Sequence, residues 1–209
     1  SEARDLFKQA SKLDPLPQYY DGLGRAYEKL LDMTKSARAY EAAIKGDPSY
    51  IQPRLGLANV HFARKEYTIV IEELKPAIAI DPDHVQIHYQ IGRSHLEMRE
   101  PDLALEALTN AVKIDPNHGL SHMAIGLAFA AKGDAKAAAV GYRKATKTTG
   151  NDDAKWLPEA YRLLGYAIRE YGGPVSEQRD AFQNFMDRVE IEDDQSKEVK
   201  KLLIPMGRR

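Results

Sequence analysis

The sequence contains no cysteine. Disulfides, thiolate metal sites and cysteine nucleophiles are therefore excluded. Charge of neither sign dominates. Lys and Arg number 30 against 31 Asp and Glu, a formal net charge of −1, so no global field draws in nucleic acid or an anionic membrane surface. Long apolar runs are missing too. The longest, Met123 to Ala131, is nine residues counting Gly126, well short of the roughly 20 that a membrane-crossing helix needs. No P-loop, Gly-x-Ser-x-Gly or His-Glu-x-x-His string occurs. Gly22-x-Gly24 in "DGLGRAY" lacks a third glycine and a preceding strand pattern. No basic stripe interleaved with aromatics appears, so nucleic acid is not an expected partner. The charge runs Asp152-Asp153, Glu190–Asp194, Lys200-Lys201 and Arg208-Arg209 read as solvated faces. An enzyme, a membrane insertion and a cofactor thus find no support in the residues.

What the 209-residue chain has instead is a period. "AIAIDPDHVQIHYQIGRSH", Ala77–His95, recurs as "AVKIDPNHGLSHMAIGLAF", Ala111–Phe129, 34 residues later. Asp-Pro stands at Asp14-Pro15, Asp47-Pro48, Asp81-Pro82 and Asp115-Pro116. Between these marks the residues align in columns: Leu23, Leu57, Ile91, Ile125; Gly24, Ala58, Gly92, Gly126; Tyr27, His61, His95, Phe129; Tyr40, Leu74, Leu108, Tyr142; Ala43, Ala77, Ala111, Ala145. Tyr20, Leu23, Gly24 and Tyr27 fall at i, i+3, i+4 and i+7, one face of a helix. Ser36, Tyr40 and Ala43 resume that spacing after a break at Asp32–Thr34. Each repeat therefore predicts helix, short turn, helix and a Pro-marked turn. The Gly/Ala column lets the paired helix approach closely, a steric argument that holds in water as in membranes. Asp-Pro ends the second helix, because proline disfavours helical geometry at the residue before it. Pro101 suits a helix start, where its missing N–H costs nothing. Pro76 falls inside a predicted helix, and a local bend is expected there.

These columns resemble the tetratricopeptide repeat, a helical hairpin of about 34 residues. The likeness is good in Tyr20–Pro48 and Ile91–Pro116. It is looser in Arg54–Pro82, where Arg54 and His61 replace aromatics, and in the fourth repeat, where Gly150 replaces the proline before the longer loop "TTGNDDAKW". The resemblance implies an all-α fold, a right-handed superhelical solenoid of antiparallel helix pairs. The expected organisation is a lone second helix at residues 1–16, repeats at 17–50, 51–84, 85–118 and 119–152, a degenerate fifth at 153–192, and a capping helix and tail at 193–209. Tyr161, Leu164, Gly165 and Ile168, then Phe182 and Phe185, mark the fifth repeat. "SKEVKKLLIP" from Ser196 reads as the polar cap that a solenoid needs. Because Ala3, Phe7, Ala10 and Pro15 have the spacing of a second helix with no first, the chain is expected to be part of a longer polypeptide.

The histidines invite a metal. His84 and His88 stand at i, i+4, as do His118 and His122, and such pairs can share a zinc ion. But His61, His88, His95 and His122 occupy columns held by aromatics in sister repeats, and no third-ligand carboxylate has suitable spacing. Ring packing is the favoured expectation over a metal site.

A stacked array has an inner face, which in this family is lined by the first helix of each repeat. The residues beyond the packing columns are Asp21, Arg25 and Glu28; Leu55, Asn59 and Phe62; Tyr89, Arg93 and Leu96; Met123, Leu127 and Ala130; Arg162, Tyr166 and Arg169. Leu55, Phe62, Tyr89, Leu96, Met123 and Leu127 are expected to form an apolar patch flanked by Arg25, Asn59, Arg93 and Arg162, and a rimmed apolar patch marks a binding surface. Some family members clamp a terminal carboxylate with Lys and Asn. Here Asp21, Leu55 and Tyr89 depart from that pattern and Asn59 alone matches in type. An apolar segment or amphipathic helix suits better, with Arg93 and Arg162 taking acidic neighbours. The expected function is a non-catalytic scaffold that binds a protein or peptide segment in its concave groove, with affinity on the order of micromolar. A charge at Leu55 and Leu127 together is expected to abolish capture without loss of helicity. The alternative is self-assembly into homo-oligomers through the apolar edge of Leu6, Phe7 and Leu13.

Overall fold

The computed structural model describes residues 2–148, 154–189 and 193–206. Gly150, Asp152-Asp153, residues 190–192 and Arg208-Arg209 lie outside the described residues. Among those described, every regular element is helical and none is a strand. The fold is an all-α repeat solenoid. The chain divides into two units, Ser1–Met98 and Arg99–Arg209.

In the first unit, α1 (Glu2–Leu13), α2 (Pro17–Lys29), α3 (Met33–Gly46), α4 (Ile51–Ala63), α5 (Tyr67–Ile80) and α6 (Val85–Glu97) pack each against the next, and α4 also touches α2 and α6. In the second, α7 (Pro101–Ile114), α8 (Gly119–Ala131), α9 (Ala135–Thr146), α10 (Leu157–Glu170), α11 (Val175–Met186) and α12 (Asp194–Leu203) follow the same sequential rule, and a 3₁₀ turn at Ile204–Met206 follows α12.

The turn inside each repeat is built on one left-handed residue. Leu31 (φ 60°), Lys65 (62°), Arg99 (61°) and Gly133 (77°) recur every 34 positions. Leu31 N–H donates to the Glu28 carbonyl and Asp32 N–H to Tyr27, at 2.9 and 3.0 Å. Lys65 and Glu66 repeat this on Phe62 and His61, as do Gly133 and Asp134 on Ala130 and Phe129. This is the paired closure of a Schellman motif, which satisfies the last carbonyls of the first helix. The next residue starts the second helix: Asp32 accepts from Lys35 N–H at 3.1 Å and Asp134 from Ala137 N–H at 2.9 Å.

The Asp-Pro turn between repeats has its own logic. Asp47, Asp81 and Asp115 are extended (φ −144°, −139° and −125°), as a residue before proline should be. Their carboxylates also accept from the N–H of Ser49, Asp83 and Asn117 two residues on, so each aspartate folds its own turn. Helix α5 runs on through Pro76, whose exposed ring points away from the core.

Packing follows the small column. A Cβ added at Gly24 would lie 2.5 Å from the Tyr40 ring, and one at Gly56 would strike the same ring from α4. Tyr40, 1% exposed, thus fills a slot between α2 and α4. Tyr142 meets Gly126 and Phe182 meets Gly165 in the same way. Phe182, Phe185 and Val199 form a core that α12 closes, and Asp193 caps that helix through Ser196 N–H.

Candidate functional site

The inward stripe does not behave as one class of position. The fifth residue of the first helices is buried: Asp21 at 4%, Leu55 at 7% and Tyr89 at 7% exposure. Leu55 and Tyr89 therefore offer little apolar surface, contrary to the expected patch. The cause is that α4 touches both α2 and α6, so side chains on that flank are covered by the neighbouring first helix. A charge at Leu55 would enter the core and cost folding rather than binding. Burial pushes the Tyr89 hydroxyl's pKa up, with Arg93 acting the other way.

The ninth residues face out. Arg25 and Asn59 are exposed and Arg93 is half-buried. Arg25 is ion-paired with Asp21 at 2.5 Å, and the Tyr50 hydroxyl donates to the same carboxylate at 3.2 Å. Burial first, then the Asp21 charge, raises the Tyr50 pKa. Asn59 Oδ1 accepts from Gln90 Nε2 at 2.7 Å, tying α4 to α6. Arg93 is held differently. Its guanidinium lies 4.0 Å from the Phe62 ring centroid and 5.6 Å from that of Tyr89. Phe62 is fixed in turn by an edge-on Tyr67 at 5.2 Å, whose hydroxyl donates to Glu97 at 3.3 Å. No carboxylate among the described residues is ion-paired with Arg93. Leu96 is half-buried, and Glu28 accepts from the Tyr40 hydroxyl at 2.8 Å. Gln90, Tyr50, Tyr67 and Glu97 are not legible in the sequence as parts of this face. They lie off the stripe: Gln90 and Tyr50 reach it through side-chain hydrogen bonds, Tyr67 through its ring against Phe62, and Glu97 through Tyr67.

In the second unit, Leu127 is 37% exposed, Ala130 is exposed and Met123 is half-buried against the core. The sequence pattern predicts an Arg162 open to a partner's acid. Instead it forks onto Glu159 of its own helix, with Nε and Nη2 at 2.7 and 2.6 Å from the two carboxylate oxygens. Tyr166 stands edge-on to Phe182 at 5.3 Å. Arg169 is exposed.

The histidines act as clasps more than fillers. His88 Nε2 donates to the Pro82 carbonyl and His122 Nε2 to Pro116, both at 2.8 Å, so each ring pins the turn six residues upstream. His61 Nδ1 meets Glu66 at 2.7 Å, and His118 Nδ1 meets the Ser121 hydroxyl at 2.7 Å. Burial lowers the His118 pKa, with His122 adding to the shift and Asp115 opposing it. Among the described residues no group of three potential metal ligands comes together.

Residues 17–50 and 89–154 each match a family model described as "Tetratricopeptide repeat". A comparison with curated protein sequences finds no significant match. Solved structures share the fold. The chain is similar to MamA (21% identity, TM-score 0.67, covering 82% of this chain and 91% of that one). It is also similar to Pseudomonas aeruginosa pilF (18%, 0.77, 97% and 85%). A third is YrrB, described as a TPR protein with an unusual peptide-binding site (16%, 0.66, 95% and 100%). The periodic helix pairs, the glycine-aromatic slots and the two matched segments make the chain a tetratricopeptide repeat protein.

Proposed function

We propose that the chain is a non-catalytic protein-interaction scaffold, and that the α4–α6 face of its first unit receives a peptide or helical segment carrying an acidic residue. Family membership supports the scaffold. One observation carries the finer reading: Arg93 is stacked on Phe62 with its charge unpaired. Stacking orients the planar fork and removes much of the entropy that a carboxylate would otherwise have to overcome. Exposed Asn59 supplies a neutral donor beside it, and Phe62 and Leu96 supply apolar contact. Leu127 and Met123 are assigned the same kind of apolar role on α8 in the second unit.

The test is fluorescence anisotropy with labelled peptide pools that differ only in whether a central position is acidic. Acidic pools should bind more tightly. Arg93→Gln should weaken them by about tenfold or more, the worth of one charged hydrogen-bonded pair, with helicity unchanged. Equal binding of both pools, or indifference to Arg93→Gln, refutes the assignment.

A second reading, self-association, is favoured by the exposure of Leu6 at 60% and Leu13 at 88% on α1.

A further inference from the structure

A cavity of about 220 Å³ opens between α2 and α3, both inside the matched repeat 17–50. Half-buried Tyr20 and Tyr27 line its α2 side, with buried Leu23 between them in sequence. Arg38, Ala39 and Ala42 line its α3 side. Tyr20, Leu23 and Tyr27 stand at i, i+3 and i+7, a stripe of α2 apart from the one that bears Asp21 and Arg25. The slot is therefore separate from the α4–α6 face. The next repeat shows what this place holds when the chain fills it itself. One period on, Arg54 stands for Tyr20 and Glu73 for Ala39. Arg54 Nη1 donates to Glu73 at 2.7 Å, with the two side chains 12% and 22% exposed. The first repeat has an arginine here, Arg38, but Ala39 stands where the acid would be. The surrounding charges do not make up for it. Lys35 lies 5.6 Å from the Tyr27 ring centroid and is bonded to Asp32. Arg4 of α1 is near enough to Lys35 to oppose its charge, and is bonded to Asp5. Arg38 acts on Asp32 from a distance, and no carboxylate among the described residues is ion-paired with Arg38. One positive charge is left over beside an apolar slot.

We propose that the α2–α3 slot of the first repeat takes an aromatic side chain of a partner protein, and that an acidic residue next to it in the partner's sequence reaches Arg38. A cavity of about 150 Å³ holds a benzene ring, so this one has room for a ring and its methylene. Tyr20 and Tyr27 give that ring aromatic neighbours, and Leu23, Ala39 and Ala42 give it apolar contact. Burial of the ring supplies the affinity, and Arg38 supplies the selection. The partner's carboxylate makes between two chains the pairing that Arg54 and Glu73 make within one. A basic residue in the same place would meet Arg38 and Lys35 as like charges. Only one side chain enters, so binding is weak, on the order of 100 μM.

The experiment is an amide chemical-shift titration of the full chain with short peptides, acetylated and amidated so that their ends carry no charge, up to about 2 mM. The probe has a central phenylalanine followed by glutamate. One control replaces the glutamate with glutamine, the other the phenylalanine with alanine. The probe should shift residues 20–27 and 35–42. The glutamine control should bind there about three- to fivefold more weakly, as a partly exposed ion pair allows, and the alanine control should not bind there. Arg38→Gln should bring the probe down to the glutamine control. Arg38→Glu, at an exposed site, should reverse the preference towards a peptide with lysine in place of the glutamate. Ala42→Leu should fill the slot and remove the shifts while circular dichroism stays that of wild type. Equal binding of probe and glutamine control at these residues, or indifference to Arg38→Gln, overturns the proposal. Shifts confined to Phe62 and Arg93 overturn it and leave the α4–α6 reading standing. Phenylacetate binding the slot more tightly than the peptide overturns the protein partner in favour of a small aryl acid.

Discussion

Replacing Leu31 with glycine should make the protein more stable. Leu31 sits at φ 60°, where an L-residue pays for the approach of its Cβ to the following carbonyl. That strain is of order 1–2 kcal/mol. Glycine removes it but gives the unfolded chain more freedom, a loss of about 0.5–1 kcal/mol. Little packing is forfeited, since Leu31 is 79% exposed. The net gain expected for Leu31→Gly is therefore about 0.5–1 kcal/mol. Gly133 already holds the equivalent seat at φ 77°, and a Cβ there would meet nothing within 4 Å, so Gly133→Ala should lose a similar amount through backbone strain alone. The discriminating measurement is the sign of the glycine–alanine difference in urea midpoint, followed by far-UV circular dichroism. At Leu31, glycine should beat alanine. At Arg38, an exposed site within α3, alanine should beat glycine by about 1 kcal/mol. If alanine wins at both sites, the left-handed turn is not under strain and the reasoning fails.

Two further outcomes follow from the histidines. If His122 merely filled a slot, His122→Phe would be nearly neutral. Because its Nε2–H meets the Pro116 carbonyl, the substitution should cost about 0.5–1.5 kcal/mol, read as a lower melting temperature of the full chain, and His122→Gln should recover part of it. The second concerns pH. Burial holds His118 below the ordinary value of about 6.5, so beneath that pH the unfolded chain binds the extra proton first. Stability should fall as pH drops from about 7.5 towards 5.5, levelling once the folded imidazole itself protonates, and His118→Asn should flatten the urea-midpoint slope over that window.

The period is readable because it lies in residue types with few substitutes. Only a small residue fits over Tyr40 or Tyr142, and only a residue at home in extended backbone precedes proline. The left-handed turns are not readable from Leu31, Lys65 and Arg99, since none is glycine. Gly133 and Gly172 carry the usual signal, and the 34-residue spacing extends it from Gly133 to the others. The inward stripe looks uniformly open in sequence for a similar reason. Spacing on a single helix shows which side chains miss the paired helix. It does not show which are covered by other helices, as where α4 lies against α2 and α6. Asp21, Leu55 and Tyr89 are alike in place and in burial though unlike in chemistry, so geometry, not polarity, decides their fate.

That sorting sharpens what the first unit's face can recognise. Once the fifth residues are covered, recognition falls to Arg25, Asn59 and Arg93. Arg25 is held by Asp21 and Asn59 by Gln90. A ligand must break those bonds to use either group fully, and the gain is offset by the loss. Arg93 is held by rings, which position its charge without neutralising it. A carboxylate arriving there completes an interaction instead of exchanging one. Selectivity for an acidic residue should therefore rest on one side chain of the three, and Arg25→Gln should change peptide affinity far less than Arg93→Gln.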